Sequence, residues 1–210
     1  HPIAEALLVG VPETSLWYWA YTVASVALNL GANFLFLRAV QISPLSLTTP
    51  YLAFTPVFSA GPALLVYGEV PTALGLAGIL VVCLGAFFLN PGSRADGVFA
   101  PLKALWTERG SLYMLVVAAL WSVTPVFDKA AASATSPMWH SLMLSMGVGL
   151  VFVTVRGNQE GGLAKLWSEW RADPYLIAGS GFFAVSAMVL QLTAYDYIEV
   201  AYVETVKRAV

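Results

Sequence analysis

Apolar residues run along this chain in long blocks separated by short polar connections. Seven blocks can be marked: about Leu16 to Leu37, Leu45 to Tyr67, Ala73 to Leu89, Leu112 to Phe127, Met138 to Val155, Tyr175 to Tyr195, and a seventh that starts near Ile198 and is still open at Val210. A helix rises ~1.5 Å per residue, so ~20 residues cross ~30 Å of hydrocarbon. The blocks predict membrane-spanning helices, with the third, fourth and fifth at the short end of the range. Trp17, Tyr18 and Trp19 open the first block, Trp139 opens the fifth, and Trp106, Trp167 and Trp170 precede the fourth and sixth. That placement suits amphipathic rings at headgroup depth.

The two longer connections share a pattern. Asn90 to Gly110 contains Leu105-Trp106-Thr107-Glu108, and Arg156 to Asp173 contains Leu166-Trp167-Ser168-Glu169. Both read as short helices lying in the interface, and two spans between them put both on one membrane face. Composition agrees with a bilayer as solvent. Of 210 residues 59% are hydrophobic and 10% charged, against about 25% charged in an average soluble domain. Ten basic and twelve acidic residues cannot clothe a water-soluble surface of this size.

A net charge of -2 with no basic run gives no sign of a nucleic-acid partner. Cys83 is the single cysteine and reads as packing, and His1 and His140 are too few for a His-rich metal site. No cofactor is implied. Starting at His1 and stopping inside the seventh block, the sequence reads as a segment of a longer chain, without a signal-peptide layout at its start.

Alternating connections collect Arg38, Arg94, Lys103, Arg109, Arg156, Lys165 and Arg171 on one face, and only Lys129 on the other. The positive-inside rule puts the face of Lys103 and Lys165 in the cytoplasm. Sliding Leu35 onto Leu190 also aligns Leu37, Ala39 and Ser46 with Leu192, Ala194 and Ala201. The two helices so paired are five spans apart and cross in opposite directions, as an inverted repeat requires. Such repeats hold their substrate at the interface near the midplane.

Pro44, Pro50, Pro56 and Pro62 predict a bent or discontinuous second span, either structural or lining a site. Small residues at Ala20, Ala24, Ala27 and Gly31, and at Gly75, Gly78 and Gly85, suggest close helix packing. Polar groups at membrane depth are candidates for function. Asn29 and Asn33 share a helix face, as do Gln191 and Tyr195. Each pair fits a substrate contact or a helix clasp. Asp128 and Lys129 close the fourth block as a snorkelling pair or a gate, and Glu69 faces solvent or caps a helix. Trp121 and Tyr51 read as packing. The sharpest signal is Glu204, Lys207 and Arg208 in the seventh block. Glu204 sits within reach of both cations and neutralises about one. The remaining cation would take an anion: Arg208 by a bidentate fork to carboxylate or phosphate, Lys207 as a point charge.

Several of these pieces together resemble the EamA-type domains of the drug/metabolite transporter superfamily. They are Ser43-Pro44-Leu45-Ser46, Pro56-Val57-Phe58, Gly68-Glu69-Val70-Pro71-Thr72, Gly78, Gly85, and Leu120-Trp121-Ser122 through Pro125 to Lys129. The resemblance implies an all-α membrane protein, a polytopic bundle forming part of a ten-helix, five-plus-five inverted-repeat transporter. Residues 1–90 would then hold the last three helices of the first repeat, 91–110 the connecting loop, and 111–210 the first helices of the second. Val203-Glu204-Thr205-Val206-Lys207-Arg208 is similar to the Lys-Arg segment of sugar-phosphate translocators in the superfamily, which implies an anion-binding role for Lys207 and Arg208. Glu204 departs from that pattern, where a small or amide residue is usual, so the substrate does not carry over with the pair. Family members usually keep both termini in the cytoplasm, which would place Lys103 and Lys165 outside. The charge count says the reverse, and an odd number of preceding helices would reconcile the two.

The sequence therefore predicts a multi-pass transporter moving a small polar or anionic metabolite by alternating access. Its partners would be the lipid bilayer and a small-molecule substrate, at a site of Lys207, Arg208, Glu204, Asn29, Asn33, Gln191 and Tyr195. Two rivals remain: an integral-membrane enzyme on a lipid-linked substrate, for which His140 alone is thin support, and a non-transporting scaffold.

Overall fold

The computed structural model describes residues 12–88, 108–158 and 161–209. Among them every regular element is helical. In order these are α1 (Leu16–Ile42), α2 (Leu45–Thr48), a 3-10 helix (Thr49–Phe54), α3 (Thr55–Tyr67), α4 (Ala73–Phe88), α5 (Arg109–Ala134), α6 (Pro137–Gly157), α7 (Gly162–Ala172), α8 (Pro174–Ala194) and α9 (Val200–Ala209). Five stretches are long and apolar enough to cross a membrane: Leu16–Ile42, Thr49–Tyr67, Arg109–Ala134, Pro137–Val155 and Pro174–Ala194. Ala73–Gly85 is a shorter apolar helix. Among the described residues the fold is all-helical, with the length and apolarity of five helices those of a membrane protein.

Local chemistry sets the helix ends. Ser15 Oγ accepts the Tyr18 N–H at 3.2 Å, Ser136 Oγ accepts that of Trp139 at 3.2 Å, and Asp173 Oδ1 accepts that of Leu176 at 3.1 Å. These are side-chain caps on the orphan donors of α1, α6 and α8. Pro137 and Pro174 occupy first-turn positions, where a missing N–H costs nothing. Gly68 ends α3 in the left-handed region at φ 69°, and its N–H reaches back to the carbonyls of Ala63 and Leu64.

The second apolar block is broken, as its prolines predict: α2, the 3-10 helix and α3 succeed one another over Leu45–Tyr67. Freed carbonyls find other donors. Pro56 cannot bond to Leu52, and Thr55 Oγ1 donates to that carbonyl at 2.7 Å. Cys83 Sγ donates to the Ala53 carbonyl at 2.9 Å, so the lone cysteine supports the break as well as filling space. Pro125, inside α5, leaves the Trp121 carbonyl to Thr124 Oγ1 at 3.4 Å.

The helices group into two compact units, each discontinuous in sequence, and α1 and α5 contribute to both. One unit contains α1 as far as Val26, α5 from Asp128, and α6 to α8. Here α8 packs on α6, and α7 lies against both. The other contains the rest of α1 and α5 with α2, the 3-10 helix, α3, α4 and α9. Its buried cluster is Ala32, Ala39, Tyr51, Met114 and Val117, with Ile79, Cys83 and Ala201 forming a second. Tyr51 packs, as expected.

Several expectations change. The fourth helix does not close at Asp128 but continues to Ala134, carrying Asp128 into a buried position. Tyr18 is not an interfacial ring beside Trp17 and Trp19. It is fully buried, while those two tryptophans are exposed. Among the described residues, a Cβ at Gly31, Gly78 or Gly85 would meet nothing within 4 Å, so these three glycines are not points of close helix packing. Gly75 is the exception, because a Cβ there would run into the Tyr202 ring. Of the two interfacial helices expected, Gly162–Ala172 is helical, with Leu163 and Trp167 exposed and Arg171 stacked on Trp167 at 5.1 Å. The other falls largely on 102–107, with Lys103 and Trp106, outside the described residues.

Candidate anion site on the final helix

The α3–α4 turn fixes the start of α9. Glu69 Oε2 accepts the Val200 N–H at 3.0 Å, so Glu69 does cap a helix, one far along the chain. A carboxylate there also complements the positive end of the helix dipole. Tyr202 Oη accepts the Thr72 N–H at 2.9 Å and lies 3.2 Å from Thr72 Oγ1, with its ring seated over Gly75. From this anchor α9 packs along α3, α4 and the 3-10 helix, beside the break in the second span.

Lys207 stands ~10 Å along α9 from Val200, because the helix begins two residues later than the hydrophobic pattern suggested. Glu204 is 1% exposed. Lys207 Nζ donates to both of its carboxylate oxygens, at 3.0 and 3.3 Å, while keeping 41% of its side chain exposed. Arg208 lies over Trp121. Its guanidinium carbon lies 5.8 Å from the centre of the Trp121 ring, and its Nε is buried with no hydrogen-bond partner among the described residues. Trp121 is held in turn against Phe36, with ring centres 5.8 Å apart. The indole is therefore a stacking surface as well as a packing residue.

One carboxylate against two cations leaves this group with a single positive charge. A buried guanidinium nitrogen without a partner is expensive, and an anionic oxygen would relieve it. In the same unit, a cavity of about 360 Å³ is lined by Arg38, Ile42, Ser43, Glu108, Arg109 and Tyr113, where α1 ends and α5 begins. Ser43 Oγ donates to Glu108 Oε2 at 3.0 Å, and Arg38 and Arg109 line the same cavity. Arg38, one turn before the end of α1, thus lines a cavity.

The other sequence-predicted residues divide. Asn33 spends one amide hydrogen on the Asn29 carbonyl of its own helix, at 2.8 Å. Gln191 Nε2 donates to Tyr195 Oη within α8, so this pair is bonded to itself. Both belong to the first unit described, whereas Asn29, Asn33, Glu204, Lys207 and Arg208 belong to the second.

A cluster that the sequence reading missed lies in the first unit. Asp128, His140 and Ser25 are 5%, 0% and 0% exposed. Asp128 Oδ1 accepts from Ser25 Oγ and lies 3.1 Å from His140 Nε2. The carboxylate is the hub, and Ser25 bonds to it and not to the imidazole. A nucleophile with its base would need the histidine in the middle. The signal available in the sequence was weak: an aspartate and a histidine twelve residues apart, either side of a turn. Comparison with protein-family models, curated proteins and solved structures finds no match for the chain.

Proposed function

We propose that this protein is a membrane transporter for a small anionic metabolite, with Lys207 and Arg208 as the groups that hold the anion. The observation that carries the reading is Arg208: a guanidinium seated on Trp121 with a buried, unpartnered Nε, beside a lysine fixed on a buried glutamate. A charge kept within an apolar helical bundle needs a use, because removing it from water is costly. Glu204 holds Lys207 in place and lowers the local charge to about that of one cation, which favours an anion that can leave again. The broken second span beside α9 supports the same reading, since discontinuous helices recur at transport sites. The arginine-lined cavity at the end of α1 would draw anions toward the protein.

The proposed architecture is the ten-helix inverted repeat of the drug/metabolite type, working by alternating access. It rests on the resemblance of the segments around Pro56, Glu69 and Pro125.

Purified protein in liposomes preloaded with unlabelled solute should take up radiolabelled phosphorylated or carboxylated metabolites by counterflow and should ignore neutral analogues. Counterflow of neutral solutes alone, or of none across a broad panel, would reject the proposal.

A further inference from the structure

We propose that Asp128 and His140 form a proton-binding site that couples proton movement to the packing of α1, α5 and α6. Both side chains are inside the helical bundle: Asp128 is ~9 Å from the end of α5, and His140 ~5 Å from the start of α6. Water would reach them from the α5–α6 turn. A carboxylate oxygen only accepts, so the imidazole presents a hydrogen at Nε2. That leaves Nδ1 as the place where a further proton binds. Nδ1 is buried and has no hydrogen-bond partner among the described residues.

The surroundings make the pair sensitive to that proton. Without it, a carboxylate and a neutral imidazole place one net negative charge in a buried site. With it on Nδ1, the imidazolium and the carboxylate form an ion pair of zero net charge. The proton comes from water and returns to water, and no other bond changes. The titratable group against the pair from α1 is Tyr18, its ring edge-on to the imidazole at 5.9 Å. On α5 the neighbouring charge along the chain is Lys129. From α7 and α8, which lie on α6, no described residue makes a hydrogen bond, ion pair or ring contact with either group.

Ser25, Asp128 and His140 come from α1, α5 and α6, so the hydrogen-bonded group clasps three helices. Protonated, the clasp is electrically balanced and tight. Deprotonated, it holds an uncompensated carboxylate that is stabilised only where water can enter, which favours an open packing of those helices. Proton occupancy would bias alternating access in this way. The coupling rests on the transport reading, but proton binding does not.

The two parts can be tested separately. The chain has two histidines, so nitrogen NMR of ring-labelled protein in detergent gives two pairs of imidazole signals. His140→Gln assigns them by loss of one, and His1→Gln by loss of the other if the first variant does not fold. The His140 ring signals are expected to change with pH, and to change differently in Asp128→Asn. A ring that stays in one state from about pH 4 to 9 overturns the site. In liposomes, an imposed pH gradient should change the rate of labelled-anion uptake several-fold in the wild type, and the ratio should fall to about one in His140→Gln. An equal gradient effect in both proteins overturns the coupling. Absence of any wild-type flux overturns the coupling and the transport proposal with it, while the NMR titration still decides proton binding.

Discussion

At the scale of single residues, the proposed function turns on how side chains of α9 divide their charge. Glu204 is buried and holds Lys207 through both oxygens, while Arg208 stacks on Trp121. A cation over an indole contributes roughly 0.5 to 2 kcal/mol. Trp121→Ala should therefore weaken anion binding by roughly twofold to thirtyfold while the protein remains folded. Equilibrium binding of a labelled phosphorylated metabolite checks this, and unchanged affinity would remove the stacking role. The Glu204, Lys207 and Arg208 constellation was legible in the sequence because charges are rare in such apolar runs. The role of Trp121 was not, since nothing local distinguishes a stacking indole from a packed one. Asp128 and His140 were hidden for another reason. The polar pair Asp128 and Lys129 resembled the end of an apolar block, whereas backbone hydrogen bonding carries α5 to Ala134 and turns Asp128 inward.

At the scale of elements, the α3–α4 turn and the break in the second span determine where α9 sits. Gly75 lies under the Tyr202 ring. Gly75→Val should force that ring away and destabilise the protein by about 1 to 3 kcal/mol. Gly78→Ala meets no atom within 4 Å and should change stability by less than about 0.5 kcal/mol. Thermal unfolding of the two variants in detergent measures the difference, and equal melting temperatures would contradict the packing described. Cys83→Ala should cost about 1 kcal/mol, because it removes the donor to the Ala53 carbonyl. The broken helix itself could be read from Pro44, Pro50, Pro56 and Pro62. Its repair could not: which hydroxyl or thiol serves each freed carbonyl depends on neighbours such as α4, which the second span does not reveal. The glycine stripes show the opposite failure. Gly31 and Gly78 have the spacing of a contact face, yet among the described residues a Cβ at either would meet nothing within 4 Å, because helical periodicity says which residues share a face and not what the face meets.

At the scale of the whole molecule, hydropathy alone carried most of the fold. Five helices long and apolar enough to span a membrane appear where the apolar blocks put them. The distribution of basic residues adds a direction. By the alternation of spans along the sequence, the connection holding Lys165 and Arg171 should share a membrane face with those holding Arg38 and Arg109, and the positive-inside rule makes that face cytoplasmic. With Cys83 replaced by alanine, Lys165→Cys should react with an impermeant thiol reagent only from the cytoplasmic side. Ser133→Cys, near the opposite rim, should react only from the other. Reversed labelling would overturn the orientation.

The central claim is that Lys207 and Arg208 hold the transported anion. The most direct test is counterflow of a labelled phosphorylated or carboxylated metabolite into liposomes containing the Lys207→Ala/Arg208→Ala double variant, with its fold verified by an unchanged elution profile and helical circular dichroism. Uptake should fall to the level of protein-free liposomes. Uptake at the wild-type rate by a folded double variant would contradict the account.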